Sequence, residues 1–344
     1  MTPQSNRLKQ GLLLIALALS LFWLTTLAAV AQVAAAAPFV SAAEVVASPQ
    51  AAALASEFVE SRPAASQTGA AHRPPNTDTL SYWYGATYRT PFILKPGTFQ
   101  PADIQRNSLE YKHADTWALG YNFVDLMLAK SDMSESASGG GDGATEAYLT
   151  IRSGFGMNQI SRTRAFEFGP IRNVALEVGA NLQTKNSEFA PSERTLYFGP
   201  NFETRMSKGC FKVGLHLRKE WVHEGTLGKV ANYDPNFNIE PSWLIPFTIG
   251  KAHLTYFGFA DYNTPKSKDT FGTETVSEFL IRSAVSVDVG ALIFKRAQLV
   301  ELNGGLWYWL NEYGKPGSQP GSTQTTPIIG LTFHLDGGRS ARGK

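Results

Sequence analysis

Between His253 and Asp261 the chain reads His-Leu-Thr-Tyr-Phe-Gly-Phe-Ala-Asp. Side chains of an extended strand alternate between two faces, so if His253, Thr255 and Asp261 meet water, Phe257 and Phe259 share their side. Aromatic rings set among polar groups form a stacking surface for a flat solute, worth about 1–3 kcal/mol per stacked base. Asp261 adds an acceptor for sugar hydroxyls or exocyclic amines. The opposite parity would instead leave Tyr256 on the wet side. Trp307 and Trp309 fall on one face with Glu301 and Asn303, and Trp83 on one face with Ser81 and Arg89.

Ionisable residues recur at the same period. Glu110, Lys112, Arg218, Glu240, Glu278 and Arg282 would form field-setting ladders along a water-filled wall, or pair with one another and stiffen it. Their mixed signs predict weak ionic selectivity in either case. Enzyme chemistry has little support: the six histidines, at positions 72, 113, 216, 223, 253 and 334, show neither nucleophile nor metal-ligand spacing. The run Ser138-Gly139-Gly140-Gly141-Asp142-Gly143 lacks the lysine and helix start of a phosphate loop. Cys210, the single cysteine, lies in an apolar alternating run and reads as structural. No catalytic residue, metal or cofactor is predicted.

The elements that must position these residues are strands. Phe211, Val213, Leu215 and Leu217 alternate with Lys212, Gly214, His216 and Arg218, and the same rhythm returns in about twelve runs, from Thr79–Thr90 to Thr326–Leu335. Long polar connections alternate with mostly short ones. Thr184–Glu193 reads as a long loop, and Ala114-Asp115-Thr116 as a short turn. That rhythm, with an even strand number, predicts an all-β fold: a closed antiparallel transmembrane β-barrel with both termini on one side. A soluble sandwich also alternates, but the opposite charges crowded on single polar faces fit a hydrated lumen better than a packed core. Run lengths come close to the roughly 9–11 tilted residues that cross a bilayer. Tyr82, Tyr88, Trp117, Tyr121, Trp221 and Trp243 are among the candidates for interfacial aromatic girdles.

The ends of the chain address it. Arg7 and Lys9 precede an apolar run from Gly11 to about Val30 and the small-residue pattern Ala29-Val30-Ala31, so residues 1–31 read as an export signal. Residues 32–76, rich in Ala, Ser and Pro, read as a flexible leader; residues 77–336 as the barrel; and residues 337–344 as a polar tail. With 31 basic and 29 acidic residues the net charge is only +2, which excludes the broad basic field that gathers nucleic acid. An exported barrel places the protein in the outer membrane of a Gram-negative bacterium, in contact with lipid.

Several segments resemble a known family. Asn107-Ser108-Leu109-Glu110-Tyr111 followed by the strand Trp117–Asp125 is similar to the second hairpin of the nucleoside-specific outer-membrane channels of the Tsx-like family. Tyr148–Phe155 leading into Phe168-Gly169-Pro170, and the stretch Tyr233–Tyr262, resemble further segments. The resemblance runs in patches from Leu80 to Leu335. It implies a monomeric twelve-stranded barrel with a narrow passage for nucleosides, lined by aromatic and ionisable side chains. The 32–76 leader and the polar C-terminal tail lie outside it.

Overall fold

The computed structural model describes residues 77–225 and 228–335. The expected export signal and leader, residues 1–76, and the expected tail, residues 337–344, lie outside the described residues, as does residue 336.

The chain is an antiparallel meander. Strands β1 (Thr77–Tyr88), β2 (Ile104–Trp117), β3 (Gly120–Ser131), β4 (Thr145–Gly156), β5 (Ile171–Lys185), β6 (Pro191–Thr204) and β7 (Cys210–Glu224) pair in sequence. A short strand β8 (Lys229–Asn232) folds back on the end of β7, and β9 (Asn236–Ile249) takes over the rest of the same β7 edge. The order resumes with β10 (Ala252–Asn263), β11 (Glu278–Asp288), β12 (Val300–Leu310) and β13 (Gln324–His334). Pairing of β13 with β1 closes the ring, so twelve staves form the barrel and β8 is a flap on its rim. Closure satisfies every edge, which is what hydrocarbon demands of a spanning sheet.

The connections fall into two classes. At one end lie loops 89–103, 132–144, 186–190, 225–235, 264–277 and 311–323. At the other end are turns 118–119, 205–209 and 250–251, and two longer segments carrying the one-turn helices α1 (Met157–Ser161) and α2 (Val289–Phe294). Thr77 and His334 both sit at this turn end, where Thr79 stands opposite His334 in the closing pair.

The two faces are inverted relative to a soluble protein. Inside, Glu110, Glu177, His216, Arg218, Glu220 and Asn238 are buried, His216 to 1% exposure. Outside, Leu196, Phe198, Leu215, Leu217, Ile329 and Phe333 are exposed, Phe198 at 53% and Leu217 at 48%. Directly opposed residues of an antiparallel pair share a face, and the register keeps this division around the ring. An apolar wall of this extent is stable only against acyl chains. Outward aromatics mark both of its edges. Tyr84, Trp221, Tyr262 and Tyr308 lie toward the loop ends of their strands, and Trp117, Trp243 and Tyr256 toward the turn ends.

Four details differ from the sequence reading. Ala114-Asp115-Thr116 is no turn: it continues β2, Asn122 donates to Asp115 across the hairpin at 2.9 Å, and the chain reverses at 118–119. The loop predicted over Thr184–Glu193 shrinks to 186–190, because inward Lys185 is held at the loop end by Glu135 and Glu146 and prolongs β5. A bulge between Gly85 and Tyr88 shifts the β1 parity, so Tyr88 turns inward while Arg89 pairs with Asp103 on a half-exposed surface, away from Trp83. Gly85 permits this, since a Cβ there would lie 2.6 Å from the Tyr88 ring. Tyr121 also leaves the predicted girdle: it points inward over Gly154, whose missing side chain makes room for its ring, and donates to Glu177.

Leu217 sits at the middle of β7 on the apolar face. Leu217→Arg is expected to lower folding stability by about 2–4 kcal/mol in urea titrations with lipid vesicles. A change near zero would show that this face does not meet hydrocarbon.

Candidate permeation path

The lumen is filled from its wall inward by side chains that alternate with the apolar exterior. At mid-height on one side, Trp83 of β1 meets Phe257 of β10 across the lumen, ring centroids 6.4 Å apart. Beside the Trp83 ring runs a bidentate ion pair: Arg282 Nη1 and Nη2 of β11 donate to the two Glu110 oxygens of β2 at 2.5 and 3.0 Å. Trp83 Nε1 also donates to Glu110, at 3.0 Å, and the Arg282 guanidinium lies 4.5 Å from the Trp83 ring centre. Lys112 completes the charge balance, 2.9 Å from Glu110 and 3.5 Å from Asp125. Strands β2 and β11 are separated by β1, β13 and β12, so this pair spans a sector of the barrel rather than a neighbouring rung.

Aromatic rings continue from this bridge toward the loop end. Trp307 contacts Tyr88 edge-on at 6.1 Å and Trp309 at 6.2 Å, and Trp309 contacts Tyr313 at 5.3 Å. Trp309 Nε1 donates to Glu278 at 2.9 Å, and the Tyr313 amide donates to the same carboxylate at 3.2 Å. Beneath the rings, Tyr88, Ile104, Ala284 and Ile328 make a small apolar pad inside the otherwise polar lumen.

A second network faces the first. Arg152 of β4 reaches Glu240 of β9 at 3.3 Å, and β5, β6 and β7 lie between those strands. Arg152 also lies 3.8 Å from Glu177, which stands 3.1 Å from His216 Nε2. His216 Nδ1 is 2.9 Å from Asn238. A buried charge is tolerable only when it is paired, and each ionisable group named in the two networks has an opposite partner within 4 Å.

The sequence-derived candidates therefore separate into groups. Glu110, Lys112, Arg282, Phe257 and Trp307 converge on one constriction, with Phe259 opposite Arg282 in the β10–β11 register. Glu278 and Trp309 lie together a step closer to the loops. Asp261 faces inward but accepts from Asn238, on the side of the second network. His253 is exposed at the turn end of β10, away from the others. Arg218 binds Glu220, which Lys266 also holds at 2.7 Å. Of the predicted ladder charges, Glu110, Lys112 and Arg282 thus pair with one another, while Arg218 and Glu240 pair with charges outside that set.

Three contributors escape the sequence reading. Tyr88 enters through a bulge that periodicity does not reveal. Asp125 lies in a run whose neighbours are mostly apolar; its strand parity was the available signal. The Arg152–Glu177–His216 cluster joins residues far apart in sequence, linked only by topology. Around the aromatic constriction a donor and two acceptors, Trp307 Nε1, Asp125 Oδ1 and Thr326 Oγ1, are buried without a hydrogen-bond partner among the described residues. Such groups cost free energy until something bonds them.

No family model and no curated protein matches this chain. Among solved structures it is similar to an outer membrane channel from Pseudomonas putida F1 (TM-score 0.43, 10% identity, 78% of this chain and 100% of that one). It is also similar to the NanC porin (TM-score 0.39, 10% identity, 74% and 100%). A third likeness is to the translocator domain of the autotransporter NalP from Neisseria meningitidis (TM-score 0.38, 10% identity, 85% and 96%). The functional reading rests on the barrel's own geometry.

Two outcomes follow from the charge pairing. Arg282→Met leaves the Glu110 carboxylate buried beside Lys112 alone and is expected to cost about 3–5 kcal/mol in denaturant titration; adding Glu110→Gln should restore most of it, whereas additive losses would refute the pair. At the loop end, burial opposes ionisation of Glu135, but Lys185 and Arg106 outweigh it and hold the carboxyl down at about 2, against an ordinary 4.5. A depressed acid stabilises the fold above its unfolded pKa, and that contribution is lost as pH falls through the folded value. Hydrogen-exchange protection of residues 132–144 should therefore decline between about pH 4.5 and pH 2, and the decline should vanish in Glu135→Gln.

Proposed function

We propose that the barrel is an outer-membrane channel for passive diffusion of small solutes, with nucleosides as the solutes its constriction suits. The observation that carries this reading is the constriction itself: Trp83, Phe257 and Trp307 present ring faces beside the Glu110–Arg282 pair, and Trp307 Nε1 and Asp125 Oδ1 stand unpaired at its margin. A flat base offers faces for the rings and edge groups for that donor and acceptor, and a ribose offers hydroxyls. The interactions are matched to a solute that is polar at its edges and apolar on its faces.

In this reading the apolar wall meets lipid and the long loops face the exterior. The turn end, with both ends of the described chain, faces the periplasm. One chain closes its own ring, so a monomer suffices. Cross-lumen contacts keep the passage narrow, which favours slow, selective permeation over bulk flow. A second reading, a structural or receptor barrel without solute selectivity, is favoured by one observation: Phe92, Phe189 and Phe271 from three loops meet over the loop end.

Planar-bilayer recording separates the two. The channel reading predicts small unit conductance that millimolar adenosine or uridine reduces, with the reduction weakened in Trp307→Ala. Conductance indifferent to nucleosides removes the solute assignment; absence of conductance from folded, inserted protein favours the receptor barrel.

A further inference from the structure

The loop end is closed by an aromatic cap. Phe92 comes from the β1–β2 loop, Phe189 from the β5–β6 loop and Phe271 from the β10–β11 loop, every second loop around the ring. Their ring centroids are 6.1 Å apart for Phe92–Phe189 and 5.9 Å for Phe92–Phe271. Beneath them is a cavity of about 100 Å³ whose wall includes the three rings, Tyr233, Glu193 and Glu224. This cavity is distinct from the mid-barrel constriction and has a different chemistry.

The difference is charge. Of the carboxylates lining the cavity, Glu135 is paired with Lys185 and Arg106, and Glu220 with Arg218 and Lys266. Two are left short of positive charge. Glu193, only 9% exposed, has the Thr195 hydroxyl at 2.6 Å and no cation nearer than Arg218 at 3.7 Å. Glu224 makes no ion pair among the described residues, although Lys229 stands opposite it in the β7–β8 register, and its Oε2 is buried without a hydrogen-bond partner among them. A buried carboxylate lacking a cation is costly. Burial, and after it the Glu220 carboxylate, also push the Tyr233 phenol well above its ordinary range, as expected in an acidic enclosure.

The rings of this site already receive ammonium groups. Lys315 Nζ lies 4.9 Å from the Phe271 ring centre and 5.4 Å from that of Phe92, and Lys266 Nζ lies 4.6 Å from that of Tyr233. Lys315 is in turn neutralised by Asp269, and Lys266 by Glu220, so neither cation is available to Glu193 or Glu224. The enclosure combines aromatic faces, which attract cations electrostatically, with Glu224, which makes no ion pair among the described residues, and Glu193, whose nearest cation is Arg218 at 3.7 Å.

We propose that this capped vestibule is a binding site for small organic cations, amines or quaternary ammonium groups, which it captures ahead of the constriction. The assignment of the vestibule to the entry side rests on the channel reading; the binding chemistry does not. Calorimetric titration of choline into the detergent-folded full chain measures binding with no current through the barrel, so its failure is distinguishable from failure to conduct. Choline is expected to bind, and 3,3-dimethylbutan-1-ol, its uncharged isostere, to bind about tenfold more weakly or less. E193Q/E224Q should lose about tenfold in choline affinity while keeping the heat-modifiable electrophoretic mobility of a closed barrel. Absence of choline binding to the unaltered protein, equal affinity for the uncharged isostere, or undiminished affinity in folded E193Q/E224Q would each overturn the proposal.

Discussion

A backbone amide facing acyl chains has no partner other than another strand, and this constraint governs the rest of the structure. Pairing of β13 with β1 answers it by leaving no edge. Once the ring is closed with Leu196, Phe198, Leu217 and Ile329 outside, every polar side chain of the period-two pattern is committed to the interior. The lumen is then a problem of electrostatics: charges withdrawn from bulk water must find each other. Glu110 with Arg282, Arg152 with Glu240, and Glu135 with Lys185 are the solutions found, and the first two join strands that are not adjacent. The same pairs that make the interior tolerable also narrow it. The wall's stability and, in the proposed channel, the narrowness of the passage have one physical origin.

Aromatic rings add what charge pairs lack. Trp83, Phe257 and Trp307 give the interior flat apolar faces beside its polar margin, the surface on which the proposed solute assignment rests. At the loop end the rings of Phe92, Phe189 and Phe271 do the reverse, drawing in a cap from three separate loops over a carboxylate-lined space. In the proposed channel a solute would meet two environments in turn, a carboxylate-lined vestibule under aromatic rings and then the aromatic constriction with its polar margin.

Much of the fold is legible in the residues themselves because a β-barrel in lipid is written at period two. The alternation of Phe211, Val213, Leu215 and Leu217 with Lys212, Gly214, His216 and Arg218 is both the strand signal and the inside–outside assignment. The twelve predicted runs correspond to the twelve staves for this reason. What the pattern does not carry is anything depending on a one-residue shift or on distance around the ring. The bulge near Gly85 reverses the face of Tyr88, and no local residue announces it. The short Ala-Asp-Thr segment at 114–116 mimics a turn, yet it is paired strand: Asp115 accepts from Asn122 across a hairpin that reverses only at 118–119. Phe257, Phe259, Trp307 and Trp309 are assigned to faces by parity. That Phe257 meets Trp83, and Arg282 meets Glu110, follows from barrel closure alone and has no signature in spacing.

The central claim is that the apolar face meets acyl chains while the polar face lines water. Nitroxide labels placed one at a time along β13 from Ile328 to Phe333, in a C210S background reconstituted into vesicles, test it most directly through accessibility to oxygen and to a water-soluble nickel reagent. Labels at 329, 331 and 333 should be oxygen-accessible and those at 328, 330 and 332 should not, an alternation with period two. Uniform accessibility along the strand, or preferential oxygen access at 328, 330 and 332, would contradict the account.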